Sequence, residues 1–339
     1  MQLLVTGGAG FIGSHFIRLV LAEHPEARVV NLDKLTYAAS PANLASVEDD
    51  PRYRFVQGDI TDAAVVAEAM AGCTHVVNFA AESHVDRSIH GAVDFITTDV
   101  LGTWVLCDAA RSAGVDRYLQ VSTDEVYGST EGRPFQEDDP LRPSSPYSAS
   151  KAGGDLQALA YMHTHGLPVV VTRGSNTYGP NQYPEKLIPL FVTNALDGEP
   201  LPVYGDGRQV RDWIHAEDHA RGILTALLEG VPGEVYNVGG SNERENIWIT
   251  RQVLELVGAG DDLIRYVADR PGHDFRYALD SSKLMALGWS PRIDLAEGLA
   301  STVQWYRDRR DWWEPIKSGE FREFYQRQYE ERLHAAVRS

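Results

Sequence analysis

Two cysteines, Cys73 and Cys107, are all that 339 residues contain, which excludes a disulfide framework and a cysteine-based metal centre. No run approaches the ~18 apolar residues that a membrane-spanning helix requires. Positive charge is scarce as well: 31 Lys and Arg face 48 Asp and Glu, a formal charge of −17. So acidic a chain lacks the basic face that a nucleic-acid backbone demands. The N-terminus opens straight into Gln2-Leu3-Leu4-Val5, with no basic stretch or small-residue cleavage site before it. These absences predict a cytoplasmic protein with neither a membrane nor a nucleic acid as partner. Internal repeats and low-complexity tracts are missing, and no His clusters with further ligands, so no metal site is expected. What remains is ordinary: 43% hydrophobic and 23% charged residues, enough for a full core. The length suits one large domain or two unequal ones sharing a cleft.

Short β-rich runs at 3–6, 29–32, 54–56, 75–79, 118–121 and 169–172 are mostly continuously apolar, as in strands covered on both faces. Helical spacing fills 14–23, 63–71, 102–112 and 147–163 between them. The alternation predicts right-handed βαβ units and an α/β fold, a Rossmann-type doubly wound parallel sheet. Beyond about residue 175, Gly and Pro punctuate the chain from Gly179 to Gly207 and the pattern becomes irregular. The expected organisation is a dinucleotide-binding domain over 1–175, completed by about 214–245. A smaller α/β substrate-binding lobe is expected from 176–213 and 246–339, its tail from Trp305 to Arg338 a solvated helix packing by Trp and Tyr.

The first strand runs into Thr6-Gly7-Gly8-Ala9-Gly10-Phe11-Ile12-Gly13. Glycines 7, 10 and 13 suit a tight turn, close approach of a pyrophosphate and close helix–strand contact. The following helix N-terminus offers unpaired N–H groups and its positive dipole end. Read alone, this could be a glycine-rich turn without a ligand. Asp33 argues otherwise: it lies 20 residues past Gly13, at the end of the second strand, where a carboxylate accepts from both ribose hydroxyls. It would repel a 2′-phosphate, so NAD is expected and not NADP.

Tyr147 is the only one of 15 tyrosines followed four residues later by lysine, Lys151. The two share a helix face begun near Pro146. Such a pair also occurs on ordinary surface helices. Its place after the fifth strand, whose end carries Val121-Ser122-Thr123, turns it toward the nicotinamide side. There an ammonium is expected to bring the phenol toward neutrality as a base, and Thr123 to bond the reacting sugar oxygen. Asp124 and Glu125 follow directly. Two adjacent acids after a strand are more often solvated or capping residues. Beside Thr123 they suit an elimination, which needs a base and an acid.

With these acids the chain resembles the dTDP-glucose 4,6-dehydratase family of extended short-chain dehydrogenase/reductases, over nearly its whole length to about Trp313. The likeness rests on ordered blocks: Leu32-Asp33-Lys34-Leu35-Thr36-Tyr37-Ala38, Ala80-Ala81-Glu82-Ser83-His84-Val85-Asp86-Arg87-Ser88, the Thr-Asp-Glu segment, and Tyr178-Gly179-Pro180 with Pro184-Glu185-Lys186-Leu187-Ile188-Pro189. Arg211-Asp212-Trp213 and Arg270-Pro271-Gly272-His273-Asp274-Phe275-Arg276-Tyr277 continue it. The resemblance implies C4 oxidation of dTDP-glucose, loss of water across C5 and C6, and hydride return to C6 with NAD regenerated. It casts Tyr147 as base at the C4 hydroxyl, Glu125 as base at C5 and Asp124 as acid at C6. It places Gly7, Gly10, Phe11, Ile12, Gly13, Asp33, Lys34, Thr36, Asp59, Ile60, Ala80, Ala81, Ser83, Thr98, Val121, Ser122, Tyr147, Lys151 and Asn176 around NAD. Ser83, His84, Thr123, Asn176, Lys186, Leu187, Pro202, Tyr204, Arg211, Asn237, Arg270, His273 and Tyr277 fall to the substrate. It further implies a homodimer, with the helices at 102–112 and 147–163 as the contact.

Some positions depart from the family pattern. Asp99 and Thr177 stand where asparagine is usual, and Gly153-Gly154 falls inside a helix, weakening it by roughly 1 kcal/mol per glycine. Two other readings stay open: a 4-epimerase or dehydratase of a UDP-, CDP- or GDP-sugar, and a non-catalytic NAD-binding regulator.

Overall fold

In the first strand, β1 (Gln2–Thr6), Leu3 and Val5 point to one face of a sheet and Leu4 to the other, and all three are fully buried. That is the consequence of a continuously apolar strand sandwiched between helices. In the computed structural model, which describes residues 1–270 and 272–330, β1 joins β2 (Arg28–Asp33), β3 (Tyr53–Gln57), β4 (His75–Asn78), β5 (Arg117–Thr123) and β6 (Val169–Gly174). The same sheet takes in β10 (Val235–Val238), and its order is β10-β6-β5-β4-β1-β2-β3, every pair parallel. The chain reverses direction between β1 and β4, the place where doubly wound sheets open a crevice.

Helices α1 (Phe11–Glu23) and α7 (Ala216–Glu229) cover one face, where Phe16, Ile17 and Val20 meet Ile223 and Leu227. The other face holds α2 (Ala63–Met70), α4 (Thr103–Ala113) and α5 (Pro146–His165), with Val66, Leu106 and Ala158 in one cluster. The short α3 (Val85–His90) and a π-helical turn, Ile96–Gly102, precede α4. α5 starts sharply because Pro146 occupies its first turn and Ser145 and Ser148 cap each other's backbone N–H.

The irregular remainder forms two small sheets. β7 (Asn176–Tyr178), β9 (Val210–His215) and β11 (Glu243–Glu245) make one; β8 (Leu201–Tyr204) and β12 (Ile264–Val267) make the other. They pack with α6 (Leu187–Asp197), α8 (Asn246–Val257) and α9 (Leu295–Asp308) around Phe191, Leu201, Val253 and Tyr306. The expected continuous tail helix is broken at Arg309, after which Trp312 and Trp313 are buried; its part from residue 331 lies outside the described residues, as does Pro271.

Candidate active site

The turn after β1 is built by backbone demands. Gly7 adopts a left-handed φ of 68°, and a Cβ there would stand 2.6 Å from the backbone nitrogen of Ala80. A Cβ on Gly13 would stand 2.5 Å from the carbonyl oxygen of Gly7, so only glycine lets α1 come this close to the strand end. No side chain caps α1, and its first N–H groups face a cavity of about 300 Å³. Asp33, at the end of β2, accepts from the N–H of Ala9 (2.9 Å) and of Leu35 (2.8 Å). Burial pushes its pKa up and those two bonds hold it down. Lys34 is paired with Asp59 at 2.8 Å, so it offers no free cation against a 2′-phosphate. A cradle that a Cβ would fill, a free helix N-terminus and a ribose-directed carboxylate suit NAD. All the residues nominated for it, from Gly7 to Asn176, line this one cavity.

The same wall carries Thr123, Asp124, Glu125, Tyr147 and Lys151. β5 ends at Thr123, whose Oγ1 accepts from the N–H of Glu125 (3.3 Å) and donates to Asp124 Oδ1 (3.1 Å). The acids do not face solvent. Asp124 is 2% exposed, its Oδ2 has no hydrogen-bond partner, and burial plus Glu125 lift its pKa well above the usual carboxylate value. Burial raises Glu125 too, but Arg270, Arg211 and Lys186 pull it down. Tyr277 donates to Asp274 Oδ2 at 2.7 Å and reaches Glu125 Oε2 at 3.5 Å. Burial thus raises both carboxyls, Asp124 well above the ordinary value and Glu125 against the opposing pull of three cations.

Tyr147 differs from expectation. Lys151 sends its ammonium to the carbonyl oxygen of Val121 at 2.9 Å. Burial, then Glu125 and Asp99, drive the phenol's pKa well above its ordinary value, opposed by a hydrogen bond with Thr123. Three carboxylates, Glu125, Asp99 and Asp124, bear on the phenol, and one ammonium already bonded to a carbonyl does not outweigh them.

Of the substrate nominations, Ser83, Thr123, Asn176 and Lys186 line the cavity. Lys186 donates to the carbonyl oxygen of Ser83. Arg211, Arg270 and Tyr277 stand behind Glu125: Arg211 lies 4.2 Å over the Tyr277 ring, and Arg270 bonds Asp86 at 3.1 Å. Tyr204 donates to the other oxygen of Asp86 at 2.9 Å and shares a face of β8 with Pro202. Leu187 packs into the small-lobe core. His273 pairs with Asp269, and burial with Arg270 and Arg211 lowers its pKa to about 4, leaving it neutral.

Two nominations need correction. Asn237 is fully buried and its side chain is spent on Tyr127, Phe135 and Asp280, which fixes β10 and leaves nothing for a ligand. His84 bonds the carbonyl oxygen of Glu185 and meets Phe324 edge-on, off the cavity wall. Sequence reasoning missed His219, 2% exposed on the cavity wall and bonded to Thr177 at 2.7 Å. It sits on an amphipathic helix like any core histidine, and only the fold brings it beside Gly174. Among the described residues no group of three or more potential ligands could hold a metal ion.

Residues 4–302 match the family model described as GDP-mannose 4,6 dehydratase. The dTDP-glucose 4,6-dehydratase of Streptomyces niveus is 53% identical over 94% of this chain and 96% of its own. The chain belongs to the dTDP-glucose 4,6-dehydratase family. Its relative DesIV of Streptomyces venezuelae, a dTDP-glucose 4,6-dehydratase solved with NAD bound, is 56% identical with a TM-score of 0.92, covering 94% of this chain and all of that one. A UDP-glucose 4-epimerase of Thermus thermophilus with NAD shares the fold at a TM-score of 0.84, with 33% identity over 91% of this chain and all of that one. Fold alone therefore does not choose between elimination and epimerisation in this family's wider circle. The acid pair does.

Proposed function

We infer that the chain converts dTDP-glucose to dTDP-4-keto-6-deoxyglucose and water, as an NAD-dependent hydro-lyase. The observation that carries the reading is the placement of two carboxyls, Asp124 and Glu125, on one cavity with Tyr147, Asp124 buried and lifted well above the usual carboxylate value. When bound, NAD supplies a hydride acceptor and a positive ring beside the phenol, and its oxidised form is restored each cycle. Tyr147 takes the C4 hydroxyl proton while Thr123 holds that oxygen. The 4-ketone acidifies C5, where Glu125 removes the proton. Asp124 protonates the C6 hydroxyl as it leaves, and Glu125 returns a proton to C5. Lys151 fixes the nicotinamide ribose, and Lys186, Arg211 and Arg270 hold the diphosphate by charge and planar donors.

Purified protein given dTDP-glucose and no reductant should form the 4-keto sugar, and in D2O the product should carry deuterium at C5. A product that keeps its C6 hydroxyl would replace this reading with epimerisation. Running UDP-, CDP- and GDP-glucose beside it tests the base. We place the enzyme in the cytoplasm as a homodimer. Leu101, Trp104 and Leu156, each at least 45% exposed on Ile96–Gly102, α4 and α5, form the apolar face that supports the pairing.

A further inference from the structure

His219 has no part in the chemistry above, yet its hydrogen bonds leave its ring only one arrangement. It lies in the first turn of α7, 2% exposed, on the wall of the dinucleotide cavity. Its Nδ1 meets Thr177 Oγ1 at 2.7 Å, and the same hydroxyl donates to the carbonyl oxygen of Ser175 at 3.1 Å. A hydroxyl has one proton and a carbonyl can only accept, so that proton is committed to Ser175. Thr177 must then accept from His219, which places the ring proton on Nδ1 and leaves Nε2 a bare lone pair. Burial lowers the ring's pKa to about 4, so it is neutral at pH 7. Among the described residues Nε2 has no hydrogen-bond partner. A buried acceptor of this kind calls for a donor.

The place of Nε2 in the sheet says which donor. It stands over Gly174, where a Cβ would come within 2.4 Å of it. Gly174 ends β6 and pairs with Thr123 at the end of β5, so the two lie one strand spacing apart, about 4.8 Å. Thr123 is the residue assigned to the C4 oxygen, and oxidation at C4 needs the nicotinamide end of the cofactor beside it. His219 therefore borders that end. The adenine amine of NAD belongs at the other end, past Asp33, and its ribose hydroxyls fall to Asp33 and Lys151. The carboxamide amino group is the donor left for this wall. We propose that His219 Nε2 accepts a hydrogen bond from the carboxamide amino group of NAD, with Thr177 holding the ring in the tautomer that can accept it. His219 is then a cofactor-binding residue and Thr177 a positioning residue. A held carboxamide fixes the rotation of the nicotinamide ring about its glycosidic bond, and so which face meets C4. The proposal rests on the C4 oxidation inferred above for its placement, but its test needs no turnover.

The test is dinucleotide binding to the full chain stripped of cofactor, read by tryptophan fluorescence with no sugar present. NAD is compared with 3-acetylpyridine adenine dinucleotide, in which a methyl replaces the amino group. The parent should bind NAD at least about fivefold more tightly, because the methyl leaves Nε2 unpaired. His219→Leu should lose that preference, through weaker binding of NAD. A preference that survives in His219→Leu would give the carboxamide to another acceptor, such as Asn176 Oδ1, and overturn the assignment. A parent without any preference would overturn it too. Should His219→Leu not fold, nitrogen NMR on the parent with labelled histidine decides. His219 should be protonated at Nδ1 and bare at Nε2, and the Nε2 resonance should move on loading NAD but not on loading the analogue. A proton found on Nε2, or the same response to both dinucleotides, would end the proposal. A parent that shows the preference and the NMR response yet forms no 4-keto product would sink the dehydratase reading and leave this contact standing.

Discussion

Asp124 and Glu125 are adjacent in sequence, and burial lifts both carboxyls, yet their surroundings differ for reasons that lie far along the chain. Lys186, Arg211 and Arg270 all oppose the rise at Glu125, whereas at Asp124 Arg211 works against burial, Glu125 and Asp212. That two acids stood beside Thr123 was legible in the sequence. Which was acid and which was base came from the family resemblance and not from the residues themselves, because the cations around Glu125 arrive from three separate segments. An Asp124→Asn enzyme can still donate a hydrogen bond but no proton. Water loss should fall by about 10²–10⁴, while deuterium exchange at C5 of the oxidised substrate persists. Loss of both together, with NAD retained, would assign Asp124 to an earlier step. Asp99 invites a second substitution. Burial lifts its carboxyl to about 6 against the opposing pull of Lys151, Ser150 and the Glu82 backbone, with Asp155 adding to the rise. The folded value lies above the unfolded one, so the folded state binds the proton more tightly. This group's contribution is therefore intact below about pH 4 and is lost as pH climbs to about 6. Asp99→Asn should remove that loss, adding about 1–3 kcal/mol at pH 7 and flattening the fall of the melting temperature between those limits. It also removes an anion from beside Tyr147, so the rising limb of the pH–rate profile should move to lower pH. An unchanged melting curve would show that folding leaves the Asp99 carboxyl's pKa where it stands in the unfolded chain.

At the scale of elements, the pattern was easiest to read where strands were apolar throughout. Those strands are held on both faces, so no solvent face interrupts the hydrophobic run. The small sheets were less legible because β7 and β11 have three residues each, too few for a period, and their pairing joins residues more than thirty apart. The two glycines inside α5 looked like a weakness and are instead a packing device. A Cβ on Gly154 would stand 2.7 Å from the Asp99 carbonyl oxygen, and one on Gly153 2.8 Å from a Val100 methyl. α5 thereby lies against the π turn that carries Thr98 and Asp99. Backbone cannot yield where a side chain can. Gly154→Ala should cost roughly 1–3 kcal/mol, whereas Gly153→Ala should stay within about 1 kcal/mol of neutral, helix propensity offsetting the contact with Val100. Thermal denaturation of the two variants side by side checks the contrast, and equal losses would mean that the π turn shifts freely.

For the molecule as a whole, a formal charge of −17 sits oddly with a dianionic substrate. The composition settled what the surface could not bind, but not that the few cations would gather behind Glu125, which required the fold. The apolar face is the complementary case. Trp104 opens the apolar run Trp104-Val105-Leu106-Cys107 and Leu156 lies between Asp155 and Gln157, so both look unremarkable in sequence, yet they stand 45% and 59% exposed on neighbouring elements. Large side chains left in water on α4 and α5 are unfavourable in a lone subunit and become buried if a second copy packs its own pair against them. A stable dimer would cover about 1,200–2,000 Å² there. Because α5 carries Tyr147 and Lys151, such a pairing would also brace the catalytic helix. Trp104→Asp places a charge in that contact, so sedimentation should find a monomer at concentrations where the parent is a dimer. NAD binding should survive, since Trp104 does not line the cavity, and kcat should fall more than KM rises as α5 loses its brace. A parent that already sediments as a monomer in the micromolar range would remove the brace from the account and leave α5 held only by its own subunit's sheet and π turn.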